Sequence, residues 1–108
     1  MALQTTILRG NINNSFLVGA ALTPAAVSGT QATQTFTIPG LQTYDFVNIC
    51  LNGAQTTGVG IANVWVSAAN TLSIQFTNST GSSATPAAGT YILGVDRSES
   101  LPLQSNAV

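Results

Sequence analysis

Between residues 59 and 77 the chain reads VGIANVWVSAANTLSIQFT, and its apolar positions recur at every second residue. Leu72, Ile74 and Phe76 alternate with Thr71, Ser73, Gln75 and Thr77, the pattern of a strand with one face in a core and the other in water. Val64 and Val66 alternate in the same way with Asn63, Trp65 and Ser67, and the small and polar residues from Ser67 to Asn70 supply a turn. The stretch predicts a β-hairpin. If Val64 and Val66 point inward, Trp65 points outward and needs a cover of its own.

The same period marks other segments. Thr35, Phe36, Thr37 and Ile38 alternate until Pro39-Gly40, where proline removes a ladder donor and glycine permits a turn. Phe46 to Leu51 places Val47, Ile49 and Leu51 on one face, and Tyr91, Leu93 and Val95 do the same for a final strand. Ser15 to Ala21 is a short apolar run suited to one more. Between them lie turn-rich connections, among them Asn52 to Gly60 with its Asn-Gly pair and the Ser, Thr, Gly, Ala and Pro segment from Asn78 to Ala88. Short strands spaced by turns, without helical periodicity, predict an all-β protein: a small antiparallel β-sandwich or barrel, jelly-roll-like or Ig-like, with extended N- and C-terminal arms. The expected division is an arm over 1–14, a sandwich domain over 15–96 and a tail over 97–108.

Composition changes that picture in one respect. A chain of 108 residues is long enough for one core, but only 5 % of its residues are charged, against ~25 % in soluble proteins. Thr, Ser, Asn and Gln, 41 residues together, must keep the surface wet. At a net charge of -1, little repulsion opposes docking on a neutral surface or on another copy. The composition suits a component of an assembly, although a monomer solvated by hydroxyls and amides is the plainer alternative.

Candidate chemistry is sparse. Histidine and lysine are absent, which removes the usual general base, the usual zinc or copper ligand and Schiff-base chemistry, and no enzymatic activity or cofactor is expected. The carboxylates are Asp45, Asp96 and Glu99; the last two flank Arg97 and read as a solvated local ion pair. With Arg9 and Arg97 as the only basic side chains, phosphate binding has almost no counterion release to draw on, so no nucleic-acid partner is expected. Cys50, between Ile49 and Leu51, reads as a small hydrophobe in a strand interior. Gly58-Val59-Gly60 lacks the third glycine and the helix of a dinucleotide cradle. The start, MALQTTILRG, lacks the charged and apolar regions of a secretory signal, and no run approaches a membrane span. Synthesis in a cytoplasm and no membrane partner are the expectations.

Residues 34 to 40 (QTFTIPG), then Asp45 opening a strand, then 58 to 95 with its GVG loop, its VSAANTLSIQF hairpin and its closing GTY strand, together resemble a group of small virion proteins of tailed bacteriophages. The likeness covers the middle of the chain; where the pattern has a Gly-Asp opening, this sequence has Thr43-Tyr44-Asp45. The resemblance implies a capsid decoration, or cement, protein on the virion surface, made in the bacterial host cytoplasm. Its partners would be the major capsid protein and itself, as a homotrimer or homodimer. The expected assembly contacts are Leu3, Ile7 and Leu8 of the arm, Trp65, and Leu101, Leu103 and Val108 of the tail. Two alternatives stay open: a tail or fibre β-module for host attachment, and a monomeric carbohydrate-binding module that uses Trp65.

Overall fold

The computed structural model describes residues 11–99. Six strands follow in chain order: β1 (Ile12–Leu22), β2 (Gln31–Thr37), β3 (Asp45–Leu51), β4 (Val59–Ala68), β5 (Thr71–Asn78) and β6 (Gly89–Ser98). They form two three-stranded antiparallel sheets, ordered β1-β6-β3 and β2-β5-β4, and no helix occurs among the described residues. β1 begins at Ile12, within the segment read as an arm, and β6 runs to Ser98, into the segment read as a tail.

The period-2 pattern explains the core. β5 and β6 are the central strands of their sheets, and their alternating apolar sides, Leu72, Ile74 and Phe76 on one and Tyr91, Leu93 and Val95 on the other, are almost wholly buried in one cluster. Val47 and Val66 join them from the neighbouring strands, and Val27, Ile38 and Leu41 from the connections. Each such side chain contributes about 1.5 to 3 kcal/mol relative to leaving it in water. An alanine at Phe76 would remove the largest apolar group of β5.

Polar groups close the two ends. At one, the buried Tyr91 hydroxyl donates to Ala87 O at 2.7 Å and accepts from Gln55 Nε2 at 3.1 Å, while Gln55 Oε1 accepts from Ala87 N at 2.6 Å. Beside it Asn78, also buried, donates through Nδ2 to Val27 O and Ser82 O and accepts at Oδ1 from Thr80 N and its hydroxyl. These bonds satisfy an amide that would otherwise be costly to bury, and they tie the 23–30 and 79–88 connections together. Gly58, with φ of +83°, belongs here; a Cβ would meet Thr80 Cγ2 at 2.5 Å.

The other end holds the tip of the β4–β5 hairpin. Its turn is tighter than the sequence pattern implies, because Ser67 and Ala68 stay in the strand and Ala68 pairs with Thr71. Asn70 adopts the left-handed conformation (φ 63°), which asparagine tolerates better than most residues. Its backbone and Oδ1 bind Ile38 N, Leu41 O and Gly40 N, so the 38–44 connection is docked on the hairpin.

Candidate docking surface

One ion pair fixes the geometry of the second end. Arg97 Nε and Nη2 donate to Asp45 Oδ1 and Oδ2, each at 2.8 Å, and Nη2 also donates to Gly40 O at 2.8 Å. Gln42 N donates to Asp45 Oδ2 at 2.9 Å. The Asp45 side chain is fully covered, and the Arg97 guanidinium beside it, reinforced by the Gln42 amide, holds its carboxyl below the usual carboxylate range against the opposing effect of burial. Arg97 is raised in turn by its bond to Asp45. Its guanidinium also lies 5.5 Å from the Phe16 ring centroid. Arg97 therefore works across the sheet. For Asp96 the expectation of an ion pair with Arg97 is corrected, since Arg97 is bound to Asp45 and Asp96 accepts from the Ser15 hydroxyl.

Register decides which side chains reach the outside of each sheet. On β6, Tyr91, Leu93 and Val95 point into the core, so Ile92, Gly94 and Asp96 point out. Pairing sets Leu17 and Asn48 on either side of Gly94, Gly19 and Cys50 beside Ile92, and Ser15 and Phe46 beside Asp96. Leu17 is 76 % exposed and Phe46 61 %, values that no core role accounts for. Cys50, expected inside the strand, is exposed on this face; the alternation that turns Ile49 and Leu51 inward turns the residue between them outward. Asp96 is the only carboxylate in these three rows.

The outside of the second sheet is its opposite in character. Gln31, Thr33, Thr35 and Thr37 of β2, Thr71, Ser73, Gln75 and Thr77 of β5, and Asn63 of β4 share it. Trp65 stands among them, opposite Ser73, and is 37 % exposed. The outward orientation of Trp65 agrees with the alternation, and its cover is partial: the indole lies on the row where Ser73, 2 % exposed, donates to the Ser67 hydroxyl at 2.8 Å.

Between the two sheets, β3 and β4 approach each other without hydrogen bonding. They leave a cleft of about 420 Å³ lined by residues 45–49 and 61–65. Val47, Ile49, Ile61 and Val64 form its apolar lining, and Phe46 and Trp65 stand at its rims. Of the expected assembly contacts, the structure places Trp65 here; Leu3, Ile7, Leu8, Leu101, Leu103 and Val108 lie outside the described residues. Phe46 and Leu17 were not singled out by the sequence. The available signal was their position, since each is apolar where alternation calls for a polar residue. Among the described residues no three His, Cys, Asp or Glu side chains come together to hold a metal, and no helix is long and apolar enough to cross a membrane.

Comparisons with protein-family models, with curated proteins and with solved structures return no match.

Proposed function

We propose that this chain is a bacteriophage virion structural protein, a capsid decoration or cement protein that binds the outside of the assembled shell. The observation that carries the reading is the outer face of the β1-β6-β3 sheet, where Leu17 stands exposed beside Gly94 and Phe46 beside Asp96, the one carboxylate of these rows. Contiguous exposed apolar surface on one face marks interaction sites. Low charge and the resemblance of its phrases to those of small phage virion proteins favour the same role, with a two-sheet sandwich of the jelly-roll or Ig kind as its scaffold and the chain ends as added contacts.

The mechanism is mass action. A domain that binds only the expanded shell stabilises each site by RT ln(1 + [L]/Kd), about 2.7 kcal/mol when its free concentration is a hundredfold above Kd, and the effect accumulates over every occupied site. No catalysis, cofactor, nucleic acid or membrane enters this role. The test is quantitative peptide mass spectrometry of purified particles together with co-sedimentation on shells lacking this chain. A copy number comparable with the major capsid protein, and binding abolished by Leu17→Asp with Phe46→Asp, are expected. A copy number far below it would move the protein to the tail or a fibre, and none would overturn the reading.

Trp65 favours one other reading. An exposed indole amid hydroxyl and amide side chains suits the apolar face of a sugar ring, so a carbohydrate-binding module follows if glycan binding is found and Trp65→Ala removes it.

A further inference from the structure

We infer that the cleft between β3 and β4 is a strand acceptor, and that its occupant is the segment Leu3–Ile7 of a second copy of this chain. The cleft lies between two strands that each pair on one side only. The ladder on β3 shows what its free edge presents. Asn52 N donates to Thr90 O at 2.9 Å, and antiparallel alternation then assigns the backbone groups of Phe46, Asn48 and Cys50 to β6 and turns those of Val47 and Ile49 toward the cleft. Among the described residues no strand pairs with them. An edge of this kind is usually guarded by lysine, proline or a bulge. β4 carries a bulge between Ile61 and Asn63, whereas β3 has only Asp45 at its start, already committed to Arg97. The acceptor edge is therefore β3, with β4 as the opposite wall.

The occupant is chosen by length, pattern and path. Five residues of each wall line the cleft, a run of about 16 Å for an extended chain. Leu3, Thr5 and Ile7 alternate with Gln4 and Thr6, so one face of a five-residue strand offers two large apolar groups to a floor made by Val47, Ile49, Ile61 and Val64. The segment carries no charge, proline or glycine, while the corresponding stretch at the other end of the chain contains Pro102, which disfavours it as a ladder partner. Path argues for a second copy. Asn11 O accepts from Glu99 N on the β1 side of β6, so within one chain β6, β3 and the Gly40–Gln42 segment bonded to Arg97 and Asp45 at their end lie between that point and the cleft. An arm from a neighbouring copy need not cross those strands, and main-chain bonds to β3 with side chains in the floor are the usual recognition of a strand added to a sheet edge.

The inference concerns association of the full chain in solution and does not rest on the capsid reading. The experiment mixes isotopically heavy chain with light chain that carries a photoreactive benzoylphenylalanine in place of Gln4, and maps the cross-links by mass spectrometry. Cross-links from light position 4 to residues 45–49 or 61–65 of heavy chains are expected. Cross-links confined to the light chain itself would mean that each copy fills its own cleft, and cross-links elsewhere or none would mean that the cleft takes no arm; each overturns the inference. In parallel, Thr5→Pro should raise the concentration at which copies associate by at least about tenfold without moving the melting temperature of the monomer. Equal association of Thr5→Pro and the parent chain would also overturn it. Because no shell is present, failure here leaves the decoration role standing, and failure of shell binding leaves this one.

Discussion

The two sheets turn similar faces inward and opposite faces outward. Inside, β5 and β6 supply matched triplets, Leu72, Ile74 and Phe76 against Tyr91, Leu93 and Val95, all nearly inaccessible. Outside, the β2-β5-β4 sheet shows threonine, serine and glutamine, and the β1-β6-β3 sheet shows Leu17, Phe46, Ile92 and Cys50 around glycines. Folding requires only the inner faces to be apolar. Trp65 apart, the second sheet meets that requirement and stops, whereas the first carries Leu17 and Phe46 exposed on its outer face, and on the proposed role that surplus is what a partner would cover.

The comparison breaks first if the two kinds of leucine turn out alike. Leu93 is fully buried and Leu17 largely exposed, so Leu93→Ala should cost about 2 to 5 kcal/mol in denaturant unfolding, while Leu17→Ala should stay within about 0.5 kcal/mol. A large loss at Leu17 would mean that its exposed position is misassigned and that the outer face belongs to the fold.

The next effect tests the ion pair that ties β3 to β6 and, through Gly40, to the 38–44 connection. Asp45→Asn leaves Arg97 without its charged partner at a partly enclosed site and should cost about 2 to 4 kcal/mol near neutral pH. The sign of the pH dependence follows from the lowered Asp45 carboxyl. Its stabilisation is complete above the unfolded value near 4 and is lost as pH falls through the folded one. Urea midpoints measured from pH 6 downward should therefore fall below about pH 4 in the parent chain and fall less in Asp45→Asn.

These residues also divide what the sequence shows from what it hides. Strict alternation made β3, β5, β6 and the hairpin legible, because each has one polar face and one apolar face. β1 was harder to read, since Phe16 and Leu17 are both apolar and point to opposite sides. Cys50 was misjudged by its neighbours' chemistry when its parity with them already assigned it outward. The Asp45–Arg97 pair could not be read at all. Its partners are 52 positions apart and meet only because β3 and β6 pair, so Arg97 looked like the partner of the acids beside it. The cleft is equally a product of topology, made by two edges that approach without joining.

A smaller effect sharpens the contrast from the polar side. Trp65 pairs opposite Ser73 on the outer face and makes no part of the core cluster, so Trp65→Ala should cost about 1 kcal/mol, the central value for point substitutions. On the proposed role it should leave shell binding through the other face intact, and loss of shell binding would shift the contact to the β4 rim of the cleft.

The smallest effect is the most informative about the docking face, because stability and binding should move in opposite directions. Gly94 sits at the centre of the outer face, its φ is not among the positive ones, and a Cβ there would meet Leu17 Cδ2 at 3.6 Å and Asn48 O at 4.0 Å, ordinary contacts. Alanine fits, and the fewer conformations of its unfolded chain should stabilise the isolated domain by about 0.4 to 1 kcal/mol. If the glycine serves only the fold, Gly94→Ala should be at least as good a protein in every assay. If the flat surface it leaves between Leu17 and Asn48 receives a partner, the more stable variant should bind shells more weakly, and a titration of parent and Gly94→Ala chains on the same shells separates the two.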